Sequence, residues 1–305
     1  MSKFKAFDTP EGFIKNIPRT VYENLEFRVD LHTLLAKDKK AQNVFWEMCK
    51  EKKQILFDTC FFTLDPRLPW GEKNQPFILR PKQIEVVELL DWCIANGHDA
   101  GINKTRDEGA SEIVCKLFAS WIILYEYVSF IVGSYKKEDV DKIGDDYTLF
   151  AKIDNVFNCL PSWMNLRYEK DGGCVYRKDM LIRNTAKNSA IIGETTNENF
   201  SAGSRSTAIL LDEFGRIRKT ITDSIEGTVH PISDCIIYNS THWLGENHTF
   251  NVCLNKDTTK KIDLLWHENP VKAKGLYKSP EVGVVELIDE KYYRENFPEI
   301  LEYAC

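Results

Sequence analysis

The apolar positions of this chain change period several times, and the changes mark its elements. Through residues 1–55, Leu31, Leu34, Leu35, Val44, Phe45 and Met48 recur at helical spacing among charges, which predicts a polar, helical N-terminal region. The basic run Lys37–Lys40 within it reads as a solvated face. Residues 56–70, LFDTCFFTLDPRLPW, are apolar and aromatic and end in Asp-Pro and Leu-Pro, predicting an extended segment closed by turns. Pro81 then opens a helix with Ile84, Val87, Leu90 and Ile94 on its apolar face. A short run ending at Ile102 gives way to a polar, Gly-containing stretch, Lys104–Ser111. A second helical pattern follows at once: Ile113, Val114, Leu117, Phe118, Trp121, Ile122 and Leu124.

Beyond that helix the pattern is mostly that of buried strands. Tyr127–Gly133 predicts the next central strand, residues 137–163 one or two helices, and residues 166–200 a β-meander around Asp171-Gly172-Gly173, Lys187-Asn188 and Gly193. Ala208–Phe214 (AILLDEF) and Cys235–Ser240 (CIIYNS) read as buried strands, and Phe250–Leu254 and Ile262–Trp266 as further ones. His267 sits in a turn without a partner at ligand spacing and reads as structural. Residues 276–305 are mixed, with Tyr292, Tyr293 and Phe297. Strands alternating with helices predict an α/β fold with a central, mainly parallel sheet.

Composition narrows the class. The 305 residues, 43% hydrophobic and 28% charged, suit one large or two small packed domains. No apolar run approaches the roughly 18 residues of a membrane span, and the N-terminus has no apolar signal core, so a cytoplasmic protein is expected. Nine cysteines are scattered without a C-x-x-C pair, which suggests neither zinc nor a disulfide frame. A net charge of −6 argues against a generally basic nucleic-acid binder but leaves room for a local basic strip.

Three stretches carry candidate chemistry. Lys104–Ser111 (KTRDEGAS) lies between a strand and a helix, where backbone N–H groups and a helix N-terminus hold phosphate. The ordinary phosphate loop is G-x-x-x-x-G-K-[ST]. Here Gly109 and Ser111 keep their places, Lys104 replaces the first Gly and Ala110 stands where the Lys belongs, so the cation has moved to the front, with Arg106 beside it. Asp212 and Glu213 follow a buried strand, the place where open α/β sheets bind ligands. There Asp212 would hold Mg²⁺ and Glu213 would orient and deprotonate an attacking water. Asn239-Ser240-Thr241 ends the third strand with an amide and hydroxyls that could sense a γ-phosphate. Gln83, in the first turn of the Pro81 helix, offers an amide that matches the adenine edge.

In this order, Gln83, Lys104–Ser111, Asp212-Glu213 and Ser240-Thr241 resemble the ATPase domain of the large terminase subunit of tailed bacteriophages, a DNA-packaging motor. KTRDEGAS resembles the family's deviant phosphate loop, SRSTAILLDEF its approach to the acidic pair, LFDTCFFTLDPR with PFILRPKQ its adenine segment, and IYNSTHWLG its coupling motif. The likeness spans roughly residues 50–270. It implies a P-loop NTPase fold of the ASCE, RecA-like kind, divided as 1–70 (helical lid region), 71–275 (ATPase core) and 276–305 (tail). It implies ATP and Mg²⁺ bound by Gln83, Lys104, Thr105, Arg106, Gly109, Ala110 and Ser111, with the Ser111 hydroxyl and Asp212 on the metal. Glu213 would be the catalytic base and Ser240-Thr241 the coupling pair. Arg205 would be a finger reaching a neighbouring subunit's nucleotide, with Arg183 the second choice.

The partners implied are double-stranded DNA, a portal protein, a small terminase subunit and further copies of the chain in a ring, in the host cytoplasm. The family's nuclease domain is not expected within a chain that ends at Cys305, which would be either an excised ATPase domain or a motor lacking the cutter. A helicase-like ATPase also pairs these motifs but needs a second lobe, and no second phosphate loop is visible. A non-hydrolysing nucleotide-binding scaffold is the other alternative.

Overall fold

Alternate side chains along three neighbouring strands fall into two separate cores. Phe130 and Val132, Ala208 and Leu210, and Cys235 and Ile237 point to one side; Ile131, Ile209 and Leu211, and Ile236 and Tyr238 point to the other. This is the period-two consequence of a strand buried on both faces.

The computed structural model describes residues 9–198, 200–201, 205–241, 245–282 and 284–299. Four helices come first, α1 (Pro10–Lys15), α2 (Val21–Leu35), α3 (Lys39–Glu51) and α4 (Gln54–Thr59), then a hairpin, β1 (Phe62–Leu64) and β2 (Asn74–Pro76). The main α/β unit runs α5 (Pro81–Asn96), β3 (Ala100–Lys104), α6 (Ala110–Leu124), β4 (Ser129–Ser134), α7 (Lys137–Val140) and α8 (Leu149–Cys159). It continues with β5 (Val175–Lys178), β6 (Leu181–Asn184), β7 (Ser189–Thr195), β8 (Ala208–Asp212), α9 (Lys219–Val229), β9 (Ile236–Ser240), α10 (Thr249–Leu254) and β10 (Lys260–Leu264). A short pair, β11 (Tyr277–Lys278) and β12 (Glu286–Leu287), and α11 (Glu290–Asn296) follow.

The eight-stranded sheet has the order β10-β3-β9-β8-β4-β7-β6-β5. The first six strands are parallel, and β7, β6 and β5 form the antiparallel meander. The first core holds α5, α6 and α8 together with residues of the N-terminal helices; the second holds α9 and α10. Helix α6 is buried continuously from Ile113 to Leu124, so it is interior on every side. The long-range order of the N-terminal region comes from Asp58, fully buried on α4. It accepts from Arg19 Nη1 (2.7 Å), Gln54 Nε2 (2.9 Å) and the Leu79 backbone N–H (2.7 Å), fixing the chain just before α5. No helix among the described residues is long and apolar enough to cross a membrane.

Three local expectations need correction. Phe250–Leu254 is helical, not a strand: Phe250, Cys253 and Leu254 are buried while Val252 is 52% exposed, the i, i+3, i+4 pattern, and the His248 side chain caps the start through the Phe250 N–H. Leu56–Thr59 belong to α4, and only Phe62–Leu64 of the 56–70 segment pairs as a strand. The strand begun near Ile262 stops at Leu264, and Trp266 enters a 3₁₀ turn. The end of the chain at Cys305, residues 1–8, Ser204 of the SRST approach, and the His242–Leu244 part of the coupling motif lie outside the described residues.

Gly133, near the end of β4, tests this packing. A Cβ there would stand 2.5 Å from the Phe200 ring and 3.1 Å from Thr196, and Phe200 is itself buried. Gly133→Val is expected to destabilise the protein by about 1–3 kcal/mol, read by chemical denaturation.

Candidate active site

The burial of α6 places its first turn at the sheet edge. Strand β3 ends at Lys104, the chain turns through 105–109, and the helix begins at Ala110. Gly109 sits at φ +81°, and a Cβ on it would meet Gln83 Nε2 at 3.1 Å, so this turn requires glycine. The N–H groups of Ala110, Ser111 and Glu112 occupy the first helical positions, which lack an intrahelical acceptor and lie at the positive end of the helix dipole. Because β3, β9 and β8 are parallel neighbours, their C-terminal ends meet here: Asn103 lies opposite Ser240, and Asp212 opposite Asn239.

Two side-chain contacts join the loop to the acidic strand. Ser111 Oγ donates to Asp212 Oδ1 at 2.8 Å, and Lys104 Nζ pairs with Glu213 Oε1 at 3.1 Å. Asn239 Nδ2 also donates to Asp212 Oδ1 and, at 3.2 Å, to Ser111 Oγ. Asn239 Oδ1 is buried without a partner among the described residues. Burial, reinforced by the neighbouring Glu213 carboxylate, holds Asp212 above the usual carboxylate range, against the opposing pull of Lys104 and of the Ser111 hydroxyl. Glu213 itself adopts φ +52°, a left-handed conformation that costs a non-glycine residue energy and recurs at functional turns. Ser240 Oγ donates to the Thr241 carbonyl at 3.0 Å, and a Cβ on Gly215 would stand 2.8 Å from that hydroxyl. The turn after Glu213 and the end of β9 are therefore packed directly together.

The loop is held from behind by a second set of groups. Gln83 is buried; its Oε1 accepts from the Arg80 N–H (3.0 Å) and its Nε2 donates to the Glu108 carbonyl (3.0 Å). Glu108 is 2% exposed and takes Arg80 at 3.2 Å, Lys272 at 2.6 Å and Asn269 Nδ2 at 3.0 Å. Thr105 is fixed by its N–H to the Leu264 carbonyl at 3.0 Å. A cavity of about 560 Å³ opens over the loop, within the size range of small-ligand sites. Gln83, Lys104, Gly109, Ala110 and Ser111 line it, joined by Phe77, Arg80, Lys152 and the β1–β2 turn at Arg67.

The candidate residues do not all converge. Gln83, Lys104, Gly109, Ala110, Ser111, Asp212, Glu213 and Ser240-Thr241 gather at this edge. Arg106 is exposed and does not line the cavity. Arg205 is exposed and lies before the start of β8, at the opposite edge, where Thr207 N–H bonds the Ser129 carbonyl. At ~3.3 Å per residue, the strand separates it from Asp212 by roughly 20 Å. Arg183 pairs across from Ala190 near the start of β7, also away from the cradle. Sequence reasoning missed Arg80, Glu108 and Lys152. Glu108 stood in plain view within the loop, but its partners lie 28, 161 and 164 positions away.

Sheet order, loop and acidic pair define a P-loop α/β fold. No family model and no curated protein matches the chain. Among solved structures, the large terminase of bacteriophage HK97 aligns with a TM-score of 0.52 at 14% identity, over 71% of this chain and 43% of that one. The large terminase of a thermophilic bacteriophage, in complex with ADP, aligns at 0.43 and 14% identity, over 70% of this chain and 49% of that one. The ATPase domain of the Thermus phage P74-26 large terminase aligns at 0.40 and 13%, over 74% and 96%. The chain thus shares its fold with the HK97 large terminase over 71% of its own length, and it spans under half the length of the first two proteins.

The raised Asp212 carboxylate gives a stability prediction. Its folded-state pKa lies above the unfolded value, so its ionisation opposes folding at neutral pH, and that penalty shrinks as pH falls from the raised folded-state value to the ordinary carboxylate value, below which it is gone. Asp212→Asn is expected to raise Tm at neutral pH, with the gain shrinking toward acid pH. A constant or negative difference across that range would contradict the assignment.

Proposed function

We propose that this chain is the ATP-hydrolysing motor domain of a viral terminase, driving double-stranded DNA into a procapsid. The observation that carries the reading is the pair of contacts Ser111–Asp212 and Lys104–Glu213 beneath a ligand-sized cavity, at the edge where six parallel strands end. The terminase part of the proposal is supported by the fold likeness together with the order of Gln83, Lys104–Ser111, Asp212-Glu213 and Ser240-Thr241 along the chain.

In this reading the amides of Gly109, Ala110 and Ser111 bind phosphate oxygens, and Lys104, entering from the front of the loop, neutralises their charge. Thr105 and Arg106 belong to the same loop, with Arg106 as an outer cation. Gln83 positions the loop and offers its remaining amide proton to the base. The donor set at the floor, one hydroxyl and one carboxylate, suits a hard cation, and Ser111 and Asp212 would hold Mg²⁺. When bound, that ion neutralises charge on the phosphate oxygens. Glu213, partly exposed beside Lys104, accepts a proton from the attacking water; before substrate arrives the Lys104 ammonium occupies it. Ser240-Thr241, packed against Gly215, would pass loss of the γ-phosphate to the rest of the sheet. Arg205, remote from its own cradle, would serve a neighbouring copy in a ring, with Arg183 the alternative. Portal protein, small terminase subunit and a location in the host cytoplasm complete the assignment.

Glu213→Gln is expected to lower ATP turnover by about 10²–10⁴-fold while ATP still binds, in assays with portal-bearing procapsids and DNA. Normal hydrolysis by that variant would remove Glu213 as base, and no hydrolysis by the unaltered protein would favour a non-hydrolysing scaffold. Mixing Arg205→Ala with Glu213→Gln protein should recover part of the missing activity, because each mixed ring then contains sites with an intact Glu213 facing an intact Arg205. A mixture as inactive as its parts would remove the finger.

A further inference from the structure

Ala110 leaves the start of α6 without the lysine that ordinarily binds the β/γ-phosphates. Lys104 supplies one ammonium, but its charge is already shared with Glu213 at 3.1 Å. A triphosphate needs more positive charge than this. Deepening the nucleotide reading on which it rests, we propose that Lys152, on α8, is a second phosphate-binding cation of the same site.

Lys152 lines the cavity that Lys104, Gly109 and Ser111 line, and it stands where that cavity meets a neighbouring one of about 500 Å³. Its ammonium donates to the carbonyls of Tyr147 and, at 3.2 Å, Thr148, and makes no ion pair with a carboxylate among the described residues. It is half-buried, at the lining of the same cavity. Its backbone is fixed relative to the loop. The Lys152 carbonyl accepts from Lys116 Nζ at 3.1 Å, and Lys116 is a fully buried residue of α6 paired with Glu112 at 2.9 Å. A pinned backbone with a long side chain hydrogen-bonded to neutral carbonyls, with the Asp145 carboxylate nearby, can exchange those acceptors for phosphate oxygens. A phosphate oxygen adds the attraction of opposite charges to the hydrogen bond that the carbonyls already accept, so the exchange is favourable.

The test is isothermal titration of the full chain with Mg-ATP and with inorganic tripolyphosphate. Lys152→Ala should weaken both by about tenfold, with Tm unchanged, and Lys152→Arg should restore most of the affinity. Lys142→Ala, removing a surface ammonium already paired with Asp145 at 3.2 Å, should leave both affinities unchanged. Wild-type affinity in Lys152→Ala overturns the proposal, as does a loss of affinity accompanied by a fall in Tm that Lys152→Arg fails to reverse. Failure of the unaltered protein to bind either probe would instead overturn the nucleotide reading itself.

Discussion

A helix without a solvent face governs this molecule. Helix α6 is apolar or buried all round, so the sheet and α5 and α8 must enclose it, and its first turn has to emerge where the parallel strands end. Everything chemical follows from that placement. Strand β3 delivers Lys104 and β8 delivers Asp212 and Glu213, while β9 delivers Asn239 and Ser240, all to the one edge that holds the unpaired N–H groups of the helix start. Were α6 amphipathic in the usual way, it could lie on the surface with its N-terminus anywhere along the sheet.

The floor of the cradle is electrostatically costly when nothing is bound, and its contacts reflect this. Asp212 is buried beside a second carboxylate, and burial raises its pKa first of all. The chain offsets the cost with a hydroxyl, an amide and Lys104 rather than with apolar packing. A buried carboxylate retained in this way is poorly explained as a stabilising device, since apolar residues of similar volume often stabilise more. In the proposed reading it is kept for the cation that Ser111 and Asp212 would hold. The left-handed Glu213 belongs to the same account, because backbone strain persists where the surrounding packing, here Gly215 against Ser240, imposes it.

Much of this was legible in the chain, for reasons that also explain what was not. The doubly buried strands declare themselves as unbroken apolar runs, and the loop, the acidic pair and the Asn-Ser-Thr end each follow such a run. Phe250–Leu254 misled because so short an apolar stretch carries no reliable period; the helix is settled by the His248 cap and by which side chains meet the second core. Gln83 was read only for its amide, whereas its structural work is to tie the start of α5 to the Glu108 carbonyl. The Glu108 cluster was invisible, because a local pattern cannot tell a surface acid from one that Lys272 and Asn269 will bury.

The distribution of arginine and lysine across the two edges of the sheet carries a further consequence. Near the cradle stand Lys104, Arg80 and Lys152; at the far edge, roughly 20 Å away by strand length, stands Arg205. Arg80 is committed to Glu108, and Lys104 shares its charge with Glu213, so a bound triphosphate would have to redistribute ion pairs that already exist. Breaking any one of these pairs loosens the loop, β8 or the segment around Lys272. Phosphate arrival and departure would therefore be felt first in the fastening of the loop to α5 and to the chain after β10, and second, through Glu213 and Gly215, at the end of β9. In the proposed motor reading, an occupant that must displace the Lys104–Glu213 pair would report its presence to the strands behind it, a property that a passive binding module does not need.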